Sequence, residues 1–171
     1  MKRNSTLTAL IAAAVLGTAT LGVQAGEREN AAFAQSKITA AQAVDKAVAK
    51  IGGQAVEVNF DLKRGRSIYK VEVQNGGKEY DVYVDAASGE VVDSREDYKH
   101  NPNKTRPAVR TTLKQAIAAA EAKTGGRAKE ADLKYKSGTP VYKVETVSGT
   151  QKHKVRVDAQ SGQVLSAHID Y

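Results

Sequence analysis

The chain has 171 residues, 41% hydrophobic and 5% aromatic, with a formal net charge of +7, no Cys and no Trp. This length allows one or two small domains with a modest core. Without Cys the chain has no disulfide staple, no thiolate chemistry and no Cys-linked lipid anchor, and the scarcity of aromatics argues against a base-stacking platform for nucleic acid.

Residues 1–25 read as a signal peptide. Lys2 and Arg3 give a basic start, LTALIAAAVLGTATLGV is an uncharged apolar run, and VQA ending at Ala25 fits a small-x-small cleavage site. AFA ending at Ala34 is a second candidate site. The run is short for a membrane span of roughly 20 apolar residues. Cleavage would release the protein into the periplasm or the exterior, with residues 26–36 as a flexible mature N-terminus.

Beyond that point the chain repeats itself. Thr39–Val92 aligns without gaps on Thr112–Leu165 at an offset of 73, and 24 of the 54 pairs are identical. The period is too long for a solenoid unit and fits a duplicated small domain. The expected units are 37–94 and 111–171, joined by a linker over 95–110 that carries two Pro and two Asn.

Each unit opens with a helical stripe: Val44, Ala47, Val48 and Ile51 in the first, and Leu113, Ala116, Ile117, Ala120 and Thr124 in the second. Thr39 with Gln42, and Thr112 with Gln115, have the spacing of capping boxes, and a Gly-Gly pair ends each stripe. The periodicity then changes to two. Val56, Val58, Phe60 and Leu62 alternate with polar residues, as do Tyr69, Val71 and Val73, and Tyr80, Val82 and Val84. KRGRS and QNGGK separate the strands as turns. The fold class is therefore α+β: two tandem repeats, each one helix packed on a small antiparallel sheet in the order α-β-β-β-β.

The repeated Asp-Ala-x-Ser-Gly, at Asp85–Gly89 and Asp158–Gly162, resembles a chemical motif but is explained as a turn. An Asp at a strand end accepts backbone N–H bonds, and the Gly takes a positive φ. One Asp per turn is too few for a calcium loop. His153 replaces Tyr80 on a strand and reads as a packed sheet position. His100 and His168 complete no zinc spacing. No nucleophile elbow occurs. Neither a catalytic residue nor a cofactor or metal is assigned.

Charge separates the two units. Residues 37–94 hold eight basic and nine acidic side chains, whereas residues 111–171 hold ten and six. Asp81 and Tyr83 become Lys154 and Arg156 in the second unit. These positions alternate with the valines, so they belong on the sheet face away from the helix. Tyr83, Lys154 and Arg156 are the candidate partner-binding residues.

IYKVEV followed by KEYDVYVDAASGEVV, and VYKVETVSGTQKHKVRVDAQSGQVL, resemble the PepSY domain, and TAAQAVDKAVAKIGG resembles its opening helix. The second copy departs from the strand pattern at Thr146 and His153. The resemblance implies a secreted or envelope context and a peptidase-inhibitory or regulatory role, with no catalytic residues. The duplicated plan is also similar in architecture to tandem-repeat β-lactamase inhibitors, a likeness of fold alone. The expected function is a non-enzymatic binding module for a peptide or envelope protein, with a secreted peptidase as a candidate partner. Nucleic acid is not expected, and membrane-surface contact is not favoured. The competing reading is a cation- or polyanion-responsive envelope protein that uses the charged outer sheet faces.

Overall fold

The structure, a computed structural model, describes residues 21–98, 108–136 and 138–171. The first 20 residues of the expected signal peptide and residues 99–107 of the expected linker lie outside them. The element order is α1 (Leu21–Ala34), α2 (Ala40–Ile51), β1 (Gln54–Lys63), β2 (Arg66–Asn75), β3 (Lys78–Asp85), β4 (Val91–Glu96), α3 (Leu113–Thr124), β5 (Arg127–Lys136), β6 (Thr139–Ser148), β7 (Gln151–Asp158) and β8 (Val164–Asp170).

At 12 residues each, α2 and α3 are too short to be stable alone in water. Two things hold them. Both capping boxes form: Gln42 N donates to Thr39 Oγ1 at 3.2 Å while Thr39 N donates to Gln42 Oε1 at 2.9 Å, and Thr112 with Gln115 does the same at 3.2 and 2.8 Å. Burial supplies the rest. Ala40, Ala43, Val44 and Ala47 of α2, and Leu113, Ala116, Ile117 and Ala120 of α3, pack on the sheet. The buried stripe of α2 sits one turn earlier than the sequence suggests, and Val48 and Ile51 are only half buried. The Gly pairs do two jobs. Gly52 and Gly125 cap the helices at φ 78° and 71°. A Cβ on Gly53 or Gly126 would come within 2.0 Å of Gln74 O or 2.9 Å of Val147 O, so the second Gly lets the helix end lie close against a strand backbone.

All eight strands form one antiparallel sheet in the order β4-β3-β2-β1-β5-β6-β7-β8. On the helix-covered face the apolar residues fall into cross-strand rows: Val58, Val71 and Val82; Phe60, Tyr69 and Val84; Ala131, Val144 and Val155; Leu133, Tyr142 and Val157. All twelve are buried. Each fully buried Val, Leu or Phe contributes about 1.5–3 kcal/mol relative to exposure.

The central seam is short. β1 pairs with β5 only through Glu57–Asp132, Val58–Ala131 and Asn59–Glu130. Ala131 is Val58 displaced by the repeat offset, so a pseudo-twofold axis passes through that pair. Register shifts recur at the same offset: Ala55/Glu57 matches Ala128/Glu130, and Tyr83/Val84 matches Arg156/Val157. Such bulges increase the local twist of a sheet.

The segment expected to be a loose N-terminus is instead helical through Ala34. Phe33 is buried, edge-on to Phe60 with ring centroids 5.3 Å apart, and the Arg127 guanidinium lies 5.3 Å from its ring. Arg127 also donates to Ser36 Oγ at 3.0 Å and Ile38 O at 3.2 Å. Lys129, only 6% exposed, pairs with Glu29 and donates to Asn30 Oδ1 at 3.0 Å. A buried ammonium is tolerated only with such partners. β4 runs to Glu96 and so takes the first two residues of the expected linker. Among the described residues, no helix is long and apolar enough to cross a membrane.

Candidate functional site

The three helices pack on one face of the sheet, and no described element covers the other. The uncovered face carries the polar residues that alternate with the core. Near the seam they are mostly acidic. Glu57 stands directly opposite Glu72, and Glu130 directly opposite Glu145, with Asp132 facing Glu57 across the seam. Like charges set directly opposite one another destabilise a sheet. Glu57 shows the consequence: partial burial, then the Glu72 charge, raises its carboxyl above the ordinary range. Glu130, though more exposed, is raised by desolvation and by Asp132 and Glu145. Lys134 answers Asp132 at 3.0 Å and Lys152 answers Glu145 at 3.3 Å.

Tyr83, Lys154 and Arg156 all stand on this uncovered face, as their alternation with the valines predicts. The structure brings only two of them together. Lys154 and Arg156 are both on β7, whereas Tyr83 is on β3, five strand spacings or roughly 24 Å away.

The two ends of the face differ in how their charges are arranged. On β2–β4, Lys70 bridges Glu72 at 2.8 Å and Asp81 at 3.0 Å. Burial works against its charge, but the hydrogen bonds to Glu72 and Asp81 outweigh that and raise its pKa. The Tyr83 ring lies between Lys63 Nζ at 5.9 Å and Arg95 Cζ at 4.9 Å, and its hydroxyl donates to Asp81 at 3.4 Å. On β6–β8 the same Lys and Glu recur as Lys143 and Glu145, but Lys154 replaces Asp81 and Arg156 replaces Tyr83. A hollow of about 340 Å³ opens there, bordered by Glu130, Lys143, Lys154, Arg156 and His168.

A second cleft, of about 380 Å³, lies on the helix side between α2 and the start of α3. Val44, Val48, Val109 and Leu113 line it, and the Lys114–Asp45 ion pair at 2.6 Å borders it. Arg127, which stands where the first unit has Gln54, marks the related place across the pseudo-twofold axis. The roles of Arg127 and Lys129 were missed in the sequence. The available signal was two cations standing where the first unit has Gln54 and Val56, with Glu29 upstream to receive one of them.

The Asp-Ala-x-Ser-Gly segments are turns. Asp85 Oδ1 accepts from Ala87 N and Ser88 N at 2.9 Å, and Asp158 Oδ1 accepts from Gln160 N at 2.8 Å and Ser161 N at 2.7 Å. Gly89 and Gly162 both have φ 76°. The backbone bonds from Ser88 and Ser161 lower the two carboxyls below their ordinary range. His153 is a half-buried sheet residue opposite Thr146. Among the described residues no group of three or more His, Asp or Glu side chains could hold a metal ion.

A helix layer on one face of an antiparallel sheet, with the other face bare and ionic, defines an α+β protein. The chain belongs to the PepSY family, described as the peptidase propeptide and YPEB domain, whose profile matches residues 37–95 and 111–168. It is similar to the uncharacterized protein YkoJ of Bacillus subtilis strain 168, at 29% identity over 133 residues, covering 76% of this chain and 72% of that protein. Among solved structures, a chain assigned as a lipoprotein from Clostridium difficile 630 aligns over 80% of this chain and 95% of its own, at 19% identity and a TM-score of 0.45. The C-terminal domain of Bacillus megaterium YpeB aligns over 80% of this chain and 67% of its own, at 12% identity and a TM-score of 0.33.

Proposed function

We propose that this chain is an exported, non-enzymatic binding module of two α-β-β-β-β units, released by signal-peptide cleavage, that engages a peptide or envelope protein and restrains a peptidase. The observation that carries the reading is the bare ionic face of the sheet, on which Asp81 and Tyr83 of the first unit give way to Lys154 and Arg156 in the second. Membership in a family described by peptidase propeptides supports the class of partner. Among the described residues, the sheet also offers two outer strands, β4 and β8, each with one side unpaired in the strand order. Val92 on β4 and Leu165 on β8 are exposed at matching repeat positions. An extended peptide added to such an edge would gain main-chain hydrogen bonds, with side-chain contacts supplying specificity.

The test is inhibition of peptidases secreted by the producing cell, assayed with and without the purified protein. We expect at least one peptidase to be slowed in proportion to the protein added. The Lys154→Glu, Arg156→Glu double variant should slow it less. If every secreted peptidase is unaffected and affinity capture from envelope extract recovers nothing above background, the reading fails.

A further inference from the structure

The contrast between the two ends of the bare face points to a specific subsite. In the first unit Lys70 is neutralised by Glu72 and Asp81. In the second unit Glu145, the equivalent of Glu72, is drawn elsewhere, and a cation, Lys154, stands in place of Asp81. Lys154 pairs with Asp170 on β8 at 2.8 Å, and Glu145 pairs with Lys152 at 3.3 Å. Lys143 and Arg156 are direct cross-strand neighbours. Among the described residues neither has an ion pair. Both border the 340 Å³ hollow. Glu130, on its seam side, is likewise without an ion pair among the described residues. Asp132, the cross-strand neighbour of Lys143, and Glu145 also line the hollow, but Lys134 and Lys152 answer them. Among the described residues, Lys143, Arg156 and Glu130 are therefore the charges of the hollow left without an ion pair.

Their spacing suits a peptide. Glu130 and the Lys143–Arg156 pair sit in adjacent cross-strand rows, roughly 10 Å apart along the backbone grid. Side chains two residues apart on an extended peptide point the same way about 7 Å apart, and long ones span the difference. A free anion would satisfy the cations and leave Glu130 unanswered.

We propose that the hollow over β5–β8 binds an extended peptide segment bearing Glu and Lys two residues apart, the Glu held between Lys143 and Arg156 and the Lys over Glu130. This rests on the binding-module reading and gives it a recognition chemistry. Burial, and then the Asp132 and Glu145 charges, raise the Glu130 carboxyl, and a cation placed over it would offset the two neighbouring charges.

The probe is a fluorescent, end-blocked octapeptide with Glu-Gly-Lys in a Gly-Ser background, titrated by anisotropy against the purified protein at low salt. We expect saturable binding. It should weaken roughly tenfold for Lys143→Ala, Arg156→Ala, and similarly for a peptide with Gln in place of its Glu. Glu130→Gln should abolish the preference for Lys over Gln in the peptide. Circular dichroism of each variant should match the wild type, since all three side chains stand on the uncovered face. Equal binding of all peptides, or no loss in the double variant, overturns the proposal. Displacement by an equal concentration of inorganic phosphate overturns the peptide assignment in favour of a free-anion site. If the octapeptide does not bind while a secreted peptidase is still inhibited, the subsite falls and the module reading stands.

Discussion

The two turn aspartates show how a repeated residue can look chemical and be structural. Asp85 and Asp158 each accept two backbone N–H bonds that close the turn. Because their folded pKa values are lowered, they stabilise the fold above the ordinary Asp value of about 3.9, and the contribution is lost as pH falls through the lower folded value. Asp85→Ala should therefore lower the urea midpoint at pH 7 by more than it does at pH 3. Glu57 has the opposite sign. Its folded pKa is raised, so its protonated form is favoured in the fold, and that advantage is lost as pH rises through the raised value. Glu57→Gln should then stabilise the protein at pH 7 by about 0.2–1 kcal/mol. The gain should vanish near pH 4, where the native carboxyl is protonated. Urea titrations of both variants at the two pH values check the signs. The turn was legible in the sequence because Asp, Ser and Gly recur at fixed places between strands. The Glu57–Glu72 confrontation was not, because it depends on a register that alternation leaves open.

At the scale of elements, α2 and α3 were readable from their capping boxes and stripes, and the strands from their alternating valines. Thr39→Ala should cost about 1 kcal/mol, read by thermal melting, because the box satisfies N–H groups at a helix start. α1 was not legible. Its sequence runs out of the expected leader, and its value lies in long-range contacts that no local pattern marks. Phe33 packs on Phe60, while Glu29 and Asn30 answer Lys129 on the far side of the seam. Phe33→Ala should destabilise by about 3 kcal/mol, as loss of a buried aromatic does. A chain starting at Gln35 would lose both Phe33 and the partners of Lys129, and should be less stable than Phe33→Ala. A deletion that leaves the melting temperature unchanged would mean that α1 does not hold the two halves together.

Over the whole molecule, the duplication was plain in the sequence, but the joining of both halves into one sheet was not. Only three residue pairs of β1 and β5 make the seam, and neither strand carries a signal that distinguishes an edge from a centre. The resulting sheet has one face occupied by helices and one that no described element covers. The alternation of Asp81, Tyr83, Lys154 and Arg156 with valines placed them on the second face; their distribution between its two ends required the strand order. The proposed binding function rests on that bare face. The most direct test is site-specific photo-crosslinking in the producing cell, with the crosslinker placed singly at Tyr83, Arg156 and, as controls, the exposed helix positions Ala49 and Ala118. We expect a discrete protein adduct from position 156, a weaker or absent one from 83, and none from 49 or 118. Adducts confined to the helix positions, or none at any position, would contradict the account.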